Sequence, residues 1–238
     1  MAGAESHHTM TALLSLENVS MSYPMQGKGR AAEHIVCDKI SLELGAGERL
    51  GIVGGNGSGK STLLRLMAKI FAPTSGRVRW APGATASLLS LGLGFRLDLT
   101  GRENAFLSCL LQGLGKTDAK HSLGEIEDFA ELGDFFNQPV KTYSTGMRAR
   151  LGFSVALMNR SDVILIDEVL SVGDQEFRLK ATEALQDQMT EDRGVVLVSH
   201  AVEHVKDLCS AAILLRDGSI AVAGSPEIVC GEYNLAIR

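Results

Sequence analysis

Eight consecutive residues near position 60 have the types and the spacing of a phosphate-binding loop. Residues 54–61 read GGNGSGKS and fit the pattern G-x-x-x-x-G-K-[ST]. Glycines at these positions let successive backbone N–H groups turn inward around a phosphate, and the helix that follows points its positive end at the same place. The residues expected to bind the phosphates of a nucleotide are Gly54, Asn56, Gly57, Ser58, Gly59, Lys60, Ser61 and Thr62.

Two of these residues have individual roles in such a loop. Lys60 is expected to reach the β- and γ-phosphates of ATP, and the Ser61 hydroxyl is expected to be a ligand of Mg²⁺. The alternative is a glycine turn followed by a solvated lysine. The motif lies between an apolar strand at residues 49–53 and a helical pattern that ends before Pro73, and this context favours the phosphate loop.

A pair of carboxylates at the end of an apolar run forms the second candidate site. Residues 163–166 read VILI and are followed directly by Asp167 and Glu168. We expect a buried strand that delivers Asp167 to the Mg²⁺ shell, with Glu168 placed to activate or orient a water that attacks the γ-phosphate. By itself this pattern is common, and its significance comes from its combination with the phosphate loop.

These groups have to be positioned by a sheet, and the sequence predicts one whose strands alternate with helices. The predicted strands are residues 14–19, 40–44, 49–53, 76–80, 163–166, 195–198, 211–215 and 220–223. Apolar spacing of three and four predicts a helix behind the phosphate loop and a second helical stretch over residues 99–133. Continuous apolar strands that alternate with helices indicate an α/β fold with a mostly parallel sheet covered on both faces.

Composition excludes several other classes of protein. The 238 residues are 45% hydrophobic, with 23 Lys and Arg against 28 Asp and Glu and a net charge of −5. These values argue against disorder and against a surface built for nucleic acid. No run reaches the roughly 18 apolar residues of a membrane-spanning helix, and the N-terminus lacks the order of a signal peptide. We therefore expect a soluble, intracellular chain, and its four separated cysteines indicate neither a zinc site nor a redox motif.

Four further motifs resemble those of ABC-type ATPases. Residues 143–147, which read YSTGM, resemble the LSGGQ signature, and residues 171–174 resemble the D-loop, which ends here in Asp174. His200 matches the switch histidine of that family, and Tyr23 stands where these proteins place an aromatic side chain that stacks on adenine. The resemblance covers nearly the whole chain, from about Ser15 to the end.

This resemblance implies a particular fold class and domain organisation. The fold would be that of a P-loop NTPase, with a RecA-like, mostly parallel core sheet, an antiparallel β subdomain and a helical subdomain that carries the signature motif. We expect a single ABC ATPase domain over residues 12–238, preceded by a tail of residues 1–11. Its α/β core with the β subdomain would comprise residues 12–80 and 160–238, and its helical subdomain about residues 97–158.

The resemblance also implies that two chains act together. A head-to-tail homodimer would sandwich two ATP molecules, each between one chain's phosphate loop and the other chain's Ser144 and Gly146. His200 would hold the γ-phosphate and the attacking water, and Asp174 would pass information between the two sites. Taken one at a time these residues fit simpler roles, since His200 could be a surface residue, Tyr23 a packing aromatic and Asp174 a helix cap.

One departure from the family pattern concerns the metal. ABC proteins usually carry a glutamine that contacts Mg²⁺ after the strand that follows the phosphate-loop helix, but no Gln occurs between Gly76 and Arg102. Ser90 or Leu91 occupies its place. Neither can ligate Mg²⁺ as an amide does, so we expect the metal to take an extra water there.

Several longer runs resemble one branch of the family, the ATPases of capsular polysaccharide and O-antigen exporters. The runs are residues 92–104, 129–136, 139–151 and 167–174, with Met147 where the superfamily mostly has Gln. This branch implies an ATP-hydrolysing subunit that powers export of a cell-surface polysaccharide (capsule, O-antigen or a teichoic-type glycan). The subunit would sit at the cytoplasmic face of the inner membrane, bound to an integral membrane permease dimer. The chain ends some twenty residues after the last predicted strand, so we expect no separate glycan-binding domain.

Family geometry further implies a permease groove formed by residues 87–97 with the helical segment after Thr100, and no direct contact with the cargo or with nucleic acid.

Three alternative functions stay open. The first is an ABC transporter ATPase for another substrate, and the second is a soluble ABC ATPase that acts on ribosomes or DNA. The latter resemble paired cassettes or a cassette split by a coiled coil, and neither pattern is present. The third is a scaffold that no longer hydrolyses ATP, against which Lys60, Asp167, Glu168 and His200 all argue.

Overall fold

The computed structural model describes residues 12–24, 33–89, 94–158, 161–167 and 174–236. The strands are β1 Ala12–Pro24, β2 Glu33–Gly45, β3 Arg49–Val53, β4 Ser75–Trp80, β5 Ala86–Leu89, β6 Val163–Asp167, β7 Gly194–Val198, β8 Ala211–Arg216 and β9 Ser219–Gly224. The helices are α1 Lys60–Met67, α2 Gly101–Leu111, α3 Lys116–Ala130, α4 Thr145–Leu157, α5 Gln175–Gln188, α6 Val202–Leu208 and α7 Pro226–Ala236. None of the helices in these ranges is both long enough and apolar enough to cross a membrane.

A six-stranded sheet forms the centre of the fold. Its strand order is β5-β6-β7-β3-β8-β9, and every neighbouring pair is parallel except β8 and β9. One face packs against α1 and the smaller sheet, and the other face packs against side chains of α4, α5, α6 and α7. Burial on both faces explains why β6 and β7 are continuous apolar runs. The predicted mostly parallel sheet is confirmed.

The register of this sheet brings three strand ends to one edge. Asp167, the last residue of β6, pairs with Val198 at the end of β7, and Val198 also pairs with Ile52 of β3. The carboxyl ends of parallel strands are where ligands bind in open α/β sheets. The ends of β3, β6 and β7 therefore lie side by side, and the predicted phosphate loop follows β3 directly.

A second, three-stranded antiparallel sheet has the order β2-β1-β4. Its inner side chains, such as Leu14 and Ile40, are buried in one hydrophobic cluster with Leu63 of α1 and Leu165 of β6. The β1 and β2 strands extend several residues beyond the predicted runs, because cross-strand pairing continues to Pro24 and Glu33. The small sheet thus holds α1, and with it the phosphate loop, against the core.

Helices α2, α3 and α4 share a hydrophobic cluster of their own, which includes Phe136 and Tyr143. The helical stretch predicted as one run over residues 99–133 is two helices, which are separated by residues 112–115 with Gly113 at φ 95°. Helix α2 begins at a capping box, in which the Thr100 hydroxyl accepts from the N–H of Glu103 and the Glu103 carboxylate accepts from the N–H of Thr100.

Strand β5 was not predicted, and it corrects one expectation. Ser87 is 4% exposed and Leu89 is 2% exposed, because β5 pairs with β6 at the edge of the core sheet. The prediction that a permease groove starts at Ser87 is therefore wrong at that end. A strand of only four residues carries too little alternation to be distinguished from a loop by its pattern.

Candidate nucleotide-binding site

The loop between β3 and α1 is held tightly on two sides. A Cβ atom on Gly59 would lie 2.4 Å from the carbonyl oxygen of Val36, and its φ of 101° is one that other residues rarely adopt. A Cβ atom on Gly54 would lie 2.4 Å from the carbonyl oxygen of Leu215. Only glycine fits at either position, so β2 and β8 fix the path of the loop.

Lys60 is buried inside this loop, with 6% of its surface exposed. Its Nζ donates hydrogen bonds to the carbonyl oxygens of Gly54 at 2.8 Å and Gly55 at 2.9 Å. These bonds keep the ammonium group in the middle of the loop, at the start of α1. A positive charge in that position suits the phosphates of a nucleotide.

The first turn of α1 adds to this positive potential. Its cap residue Gly59 offers no side-chain acceptor, and no acidic residue lies in the first turn of α1. The helix dipole at this end is therefore not neutralised by an acidic side chain of the helix itself. The neighbouring Cys37 adds no negative charge, because burial raises the pKa of its thiol to about 11.

Ser58 carries an unsatisfied polar atom in the same loop. Its hydroxyl is buried and has no hydrogen-bond partner among the described residues. Leaving such a group unpaired costs about 1–3 kcal/mol. A ligand that brings acceptor oxygens to the loop would satisfy it, so this atom fits a phosphate.

The two predicted metal ligands are in contact. The Ser61 hydroxyl, in the first turn of α1, donates a hydrogen bond to Asp167 Oδ1 at 3.2 Å. A hydroxyl and a carboxylate are oxygen ligands of the kind that Mg²⁺ takes, with waters and phosphate oxygens completing its shell. No cluster of three or more His, Cys, Asp or Glu side chains that could hold a metal occurs in the described part of the chain. The pair thus fits a nucleotide-bound Mg²⁺ better than a metal enclosed by protein.

A cavity of about 380 Å³ opens at this loop. Its lining comprises His34, Val36, Asn56, Gly57, Gly59, Lys60, Ser61, Thr62 and His200. His200 is exposed and lies two residues after the end of β7, so the parallel register brings it to the phosphate loop. Sequence reasoning missed His34 and Val36, which reach the cavity from β2 and which no local motif marks.

Tyr23 lies on β1, whereas the cavity is lined from β2 by His34 and Val36. It pairs with His34 in the β1–β2 register and is 37% exposed, but it is not among the residues that line the cavity. Its contact with adenine stays a prediction. Glu168, residues 171–173, Ser90 and Leu91 lie outside the described residues, so their roles stay predictions as well.

Ser144, Gly146 and Asp174 meet at a different cavity. Ser144 caps α4, with its Oγ accepting from the N–H of Met147 at 3.2 Å, and Asp174 caps α5 by accepting from the N–H of Phe177 at 2.9 Å. All three predicted residues line a cavity of about 470 Å³ whose lining includes no residue of the phosphate loop. The bond from the Phe177 N–H, followed by that from Arg150, holds the pKa of Asp174 below its ordinary value. Within this chain, Asp174 therefore caps α5 and pairs with Arg150.

Comparison with known proteins adds a family match. Residues 37–171 match the sequence profile of a family described as ABC transporter. The chain is 40% identical over 198 residues to an O-antigen export system ATP-binding protein, RfbB of Myxococcus xanthus, covering 83% of this chain and 45% of the relative. It is 42% identical to the teichoic acids export ATP-binding protein TagH of Levilactobacillus brevis, covering 82% of this chain and 53% of the relative. The chain thus spans about half the length of these curated relatives.

A solved structure has the same fold. The ATP-binding cassette MJ0796, in a dimeric post-hydrolysis state bound to ADP and Pi, superposes with a TM-score of 0.76. The superposition covers 90% of this chain and 98% of the other at 23% sequence identity. At this identity the likeness concerns the fold alone, and it confirms the predicted fold class. The family match likewise confirms the resemblance inferred from the motifs.

Proposed function

The chain belongs to the ABC transporter family, and from that premise we propose that it is the ATP-binding, ATP-hydrolysing subunit of a transporter that exports a cell-surface polysaccharide. The observation that carries the ATPase part is the contact of Ser61 with Asp167 beside the buried Lys60. The polysaccharide part rests on the relatives, which are named for export of O-antigen and of teichoic acids.

The chemistry assigned to the chain is phosphoryl transfer from ATP to water. Lys60 would exchange its bonds to the Gly54 and Gly55 carbonyls for bonds to the β- and γ-phosphates. Ser61 and Asp167 would hold Mg²⁺, which when bound neutralises charge on the phosphates. Glu168, which follows Asp167 directly, would orient the attacking water as a general base, and His200 would hold the γ-phosphate.

A homodimer is the second part of the proposal. Ser144 and Gly146 line a cavity separate from the one at the phosphate loop, so an ATP molecule that touches both groups needs a second chain. Further support comes from the similar cassette MJ0796, which was solved as a dimer. Each ATP would then lie between one chain's loop and the other chain's α4.

A membrane permease dimer is the third part. Three leucines just before and along α2 are exposed: Leu97 by 50%, Leu107 by 40% and Leu111 by 88%. Leu107 and Leu111 are four residues apart and therefore share one face of α2. We place the permease contact on this face of α2 and on the part of the chain after Leu89. The subunit would be peripheral, at the cytoplasmic side of the inner membrane. The permease, and not this chain, would hold the cargo.

Affinity purification of the tagged chain from membranes of its own cells tests the transport part. The expected result is a stable complex with an integral membrane protein, and cells without the chain should retain their surface glycan inside. Leu111→Ser should weaken capture of that membrane protein, whereas Leu235→Ser, at another exposed leucine on α7, should not. Recovery of ribosomes or DNA without a membrane partner would overturn the transport proposal.

Ser61→Ala should raise the Mg²⁺ concentration needed for half-maximal ATP hydrolysis by roughly tenfold or more, because one of two protein ligands is lost. The measurement is a Mg²⁺ titration of ATPase activity at fixed ATP. Ser122→Ala is the matched control, since its hydroxyl bonds to a backbone carbonyl within α3. An unchanged Mg²⁺ dependence in Ser61→Ala would remove this residue from the metal site.

A further inference from the structure

Two segments that are about forty residues apart in sequence are joined by backbone hydrogen bonds close to the start of α4. The N–H groups of Val140 and Lys141 donate to the carbonyl oxygens of Leu99 and Leu97, each at 2.9 Å. The N–H of Gly101 donates to the carbonyl oxygen of Gln138 at 3.2 Å. We call residues 97–101 together with residues 138–141 the strap. It ties the start of α2 to the chain just before Ser144.

The buried side chain of Tyr143 packs against the strap at Gly101. This side chain is 4% exposed, and its hydroxyl donates a hydrogen bond to the carbonyl oxygen of Phe135 at 2.6 Å. The same hydroxyl lies against Gly101, where an added Cβ atom would be only 2.1 Å from it. Burial raises the pKa of this hydroxyl, so it stays protonated and able to donate. The hydrogen bond and the close approach to Gly101 together restrict the position of the ring relative to α2.

Ser144 is the next residue, and its position follows from this arrangement. The N–H of Tyr143 donates to the carbonyl oxygen of Val140 at 3.0 Å, so both the backbone and the side chain of Tyr143 are fixed. Ser144 then begins α4 as its cap. The family signature has leucine at the position of Tyr143, and a leucine side chain can make no hydrogen bond of this kind.

We infer that Tyr143 is a positioning residue, which with Gly101 sets the place of Ser144 and Gly146 against the ATP bound by a second copy of the chain. This inference rests on the proposed function. Tyr143 packs in the cluster of α2, α3 and α4 and lines no part of the phosphate-loop cavity. Its loss should therefore leave ATP binding to the chain's own loop unchanged and affect only the contact made across the dimer.

Tyr143→Phe removes the hydroxyl alone. We expect kcat for ATP hydrolysis to fall about threefold to tenfold and dimer formation with ATP to need more protein. The Kd for a fluorescent ATP analogue, measured on the monomer, should stay within about a factor of two of wild type. Rates are normalised to the binding stoichiometry, so a lower folded fraction does not count as a lower kcat. Tyr233→Phe in α7, which makes the same change at another buried tyrosine, is the control.

Gly101→Ala tests the same contact between Tyr143 and Gly101 by changing Gly101 instead of Tyr143. Gly101 is the first residue of α2 and has no positive φ, so alanine suits its backbone, and the expected damage comes from the collision of the new Cβ with the Tyr143 hydroxyl. In Gly101→Ala/Tyr143→Phe the closest colliding atom is gone, and the remaining neighbours of the new Cβ are the Phe136 carbonyl oxygen at 3.0 Å and the ring carbon Cζ of residue 143 at 3.1 Å. We therefore expect the double variant to have a higher kcat than Gly101→Ala alone.

The outcomes separate the inference from the proposed function. Additive losses in the double variant, or a Tyr143→Phe chain with wild-type kcat and wild-type dimerisation, would overturn the positioning role while ATP hydrolysis by the wild type stands. A parallel rise in the monomer Kd would also overturn it, since the effect would then be general. A wild-type chain that does not hydrolyse ATP overturns both.

Discussion

Lys60→Ala is expected to remove ATP binding at the phosphate loop and to lower kcat/KM for hydrolysis by about 10³-fold or more, because the contact of a buried ammonium group with the β- and γ-phosphates is lost. A thermal-shift assay gives a direct readout. ATP at about 100 times its Kd stabilises a protein by about 2.7 kcal/mol, which corresponds to a shift in Tm of roughly 5–10 °C for a chain of this size. The variant should show no shift.

The structure adds a second consequence of this change. The Lys60 ammonium also donates hydrogen bonds to the carbonyl oxygens of Gly54 and Gly55, so its removal should lower the Tm measured without ATP as well. Lys60→Arg should not restore activity, because a planar guanidinium does not fit the buried space of an ammonium. Lys206→Ala, on α6, is the control. An ATP-dependent shift of wild-type size in Lys60→Ala would contradict the site assignment.

Glu168→Gln is expected to keep ATP binding and to lower kcat by about 10²–10⁴-fold, since only the general base is lost. With hydrolysis blocked, two chains should stay closed around ATP. The expected observation is a shift from monomer to dimer in size-exclusion chromatography with light scattering when Mg²⁺ and ATP are added. Wild type should show this dimer only transiently.

Glu176→Gln serves as the control for that experiment, because it changes the same chemical group in the first turn of α5. A second comparison is Glu168→Gln combined with Lys60→Ala, which should not dimerise because it binds no ATP. Turnover of ATP by Glu168→Gln at the wild-type rate would show that another group orients the water. A dimer that forms equally without ATP would separate dimerisation from the nucleotide site.

The residues of the phosphate loop could be predicted because their chemistry is local. Eight neighbouring residues carry the glycines, the lysine and the hydroxyl, and the strand and helix around them have clear apolar patterns. Asp167 could be predicted for a similar reason, since a run of four apolar residues that ends in a carboxylate can be recognised from the sequence alone. Its contact with Ser61, 106 residues away in sequence, was only an expectation until the sheet register was known.

Other features had no local signal. Nothing in the sequence near His34 or Val36 marks them as lining a nucleotide cavity, because they reach it through the antiparallel pairing of β1 and β2. Strand β5 is too short to be recognised, yet it buries Ser87 and moves the start of the proposed permease surface. The contact of Tyr143 with Gly101 depends on the pairing of residues 97–101 with residues 138–141, which are far apart in sequence.

The amino-acid sequence by itself therefore predicted the family and located the phosphate loop and Asp167, because backbone turns, charges and apolar runs within a few residues are enough to recognise them. Only the tertiary structure decided which distant groups share a cavity and which do not. The parallel register brings Lys60, Ser61, Asp167 and His200 to one edge of the sheet. The insertion of α2, α3 and α4 puts Ser144 in a separate cavity. Burial and register are properties of paired strands and packed helices, so no stretch of sequence carries them alone.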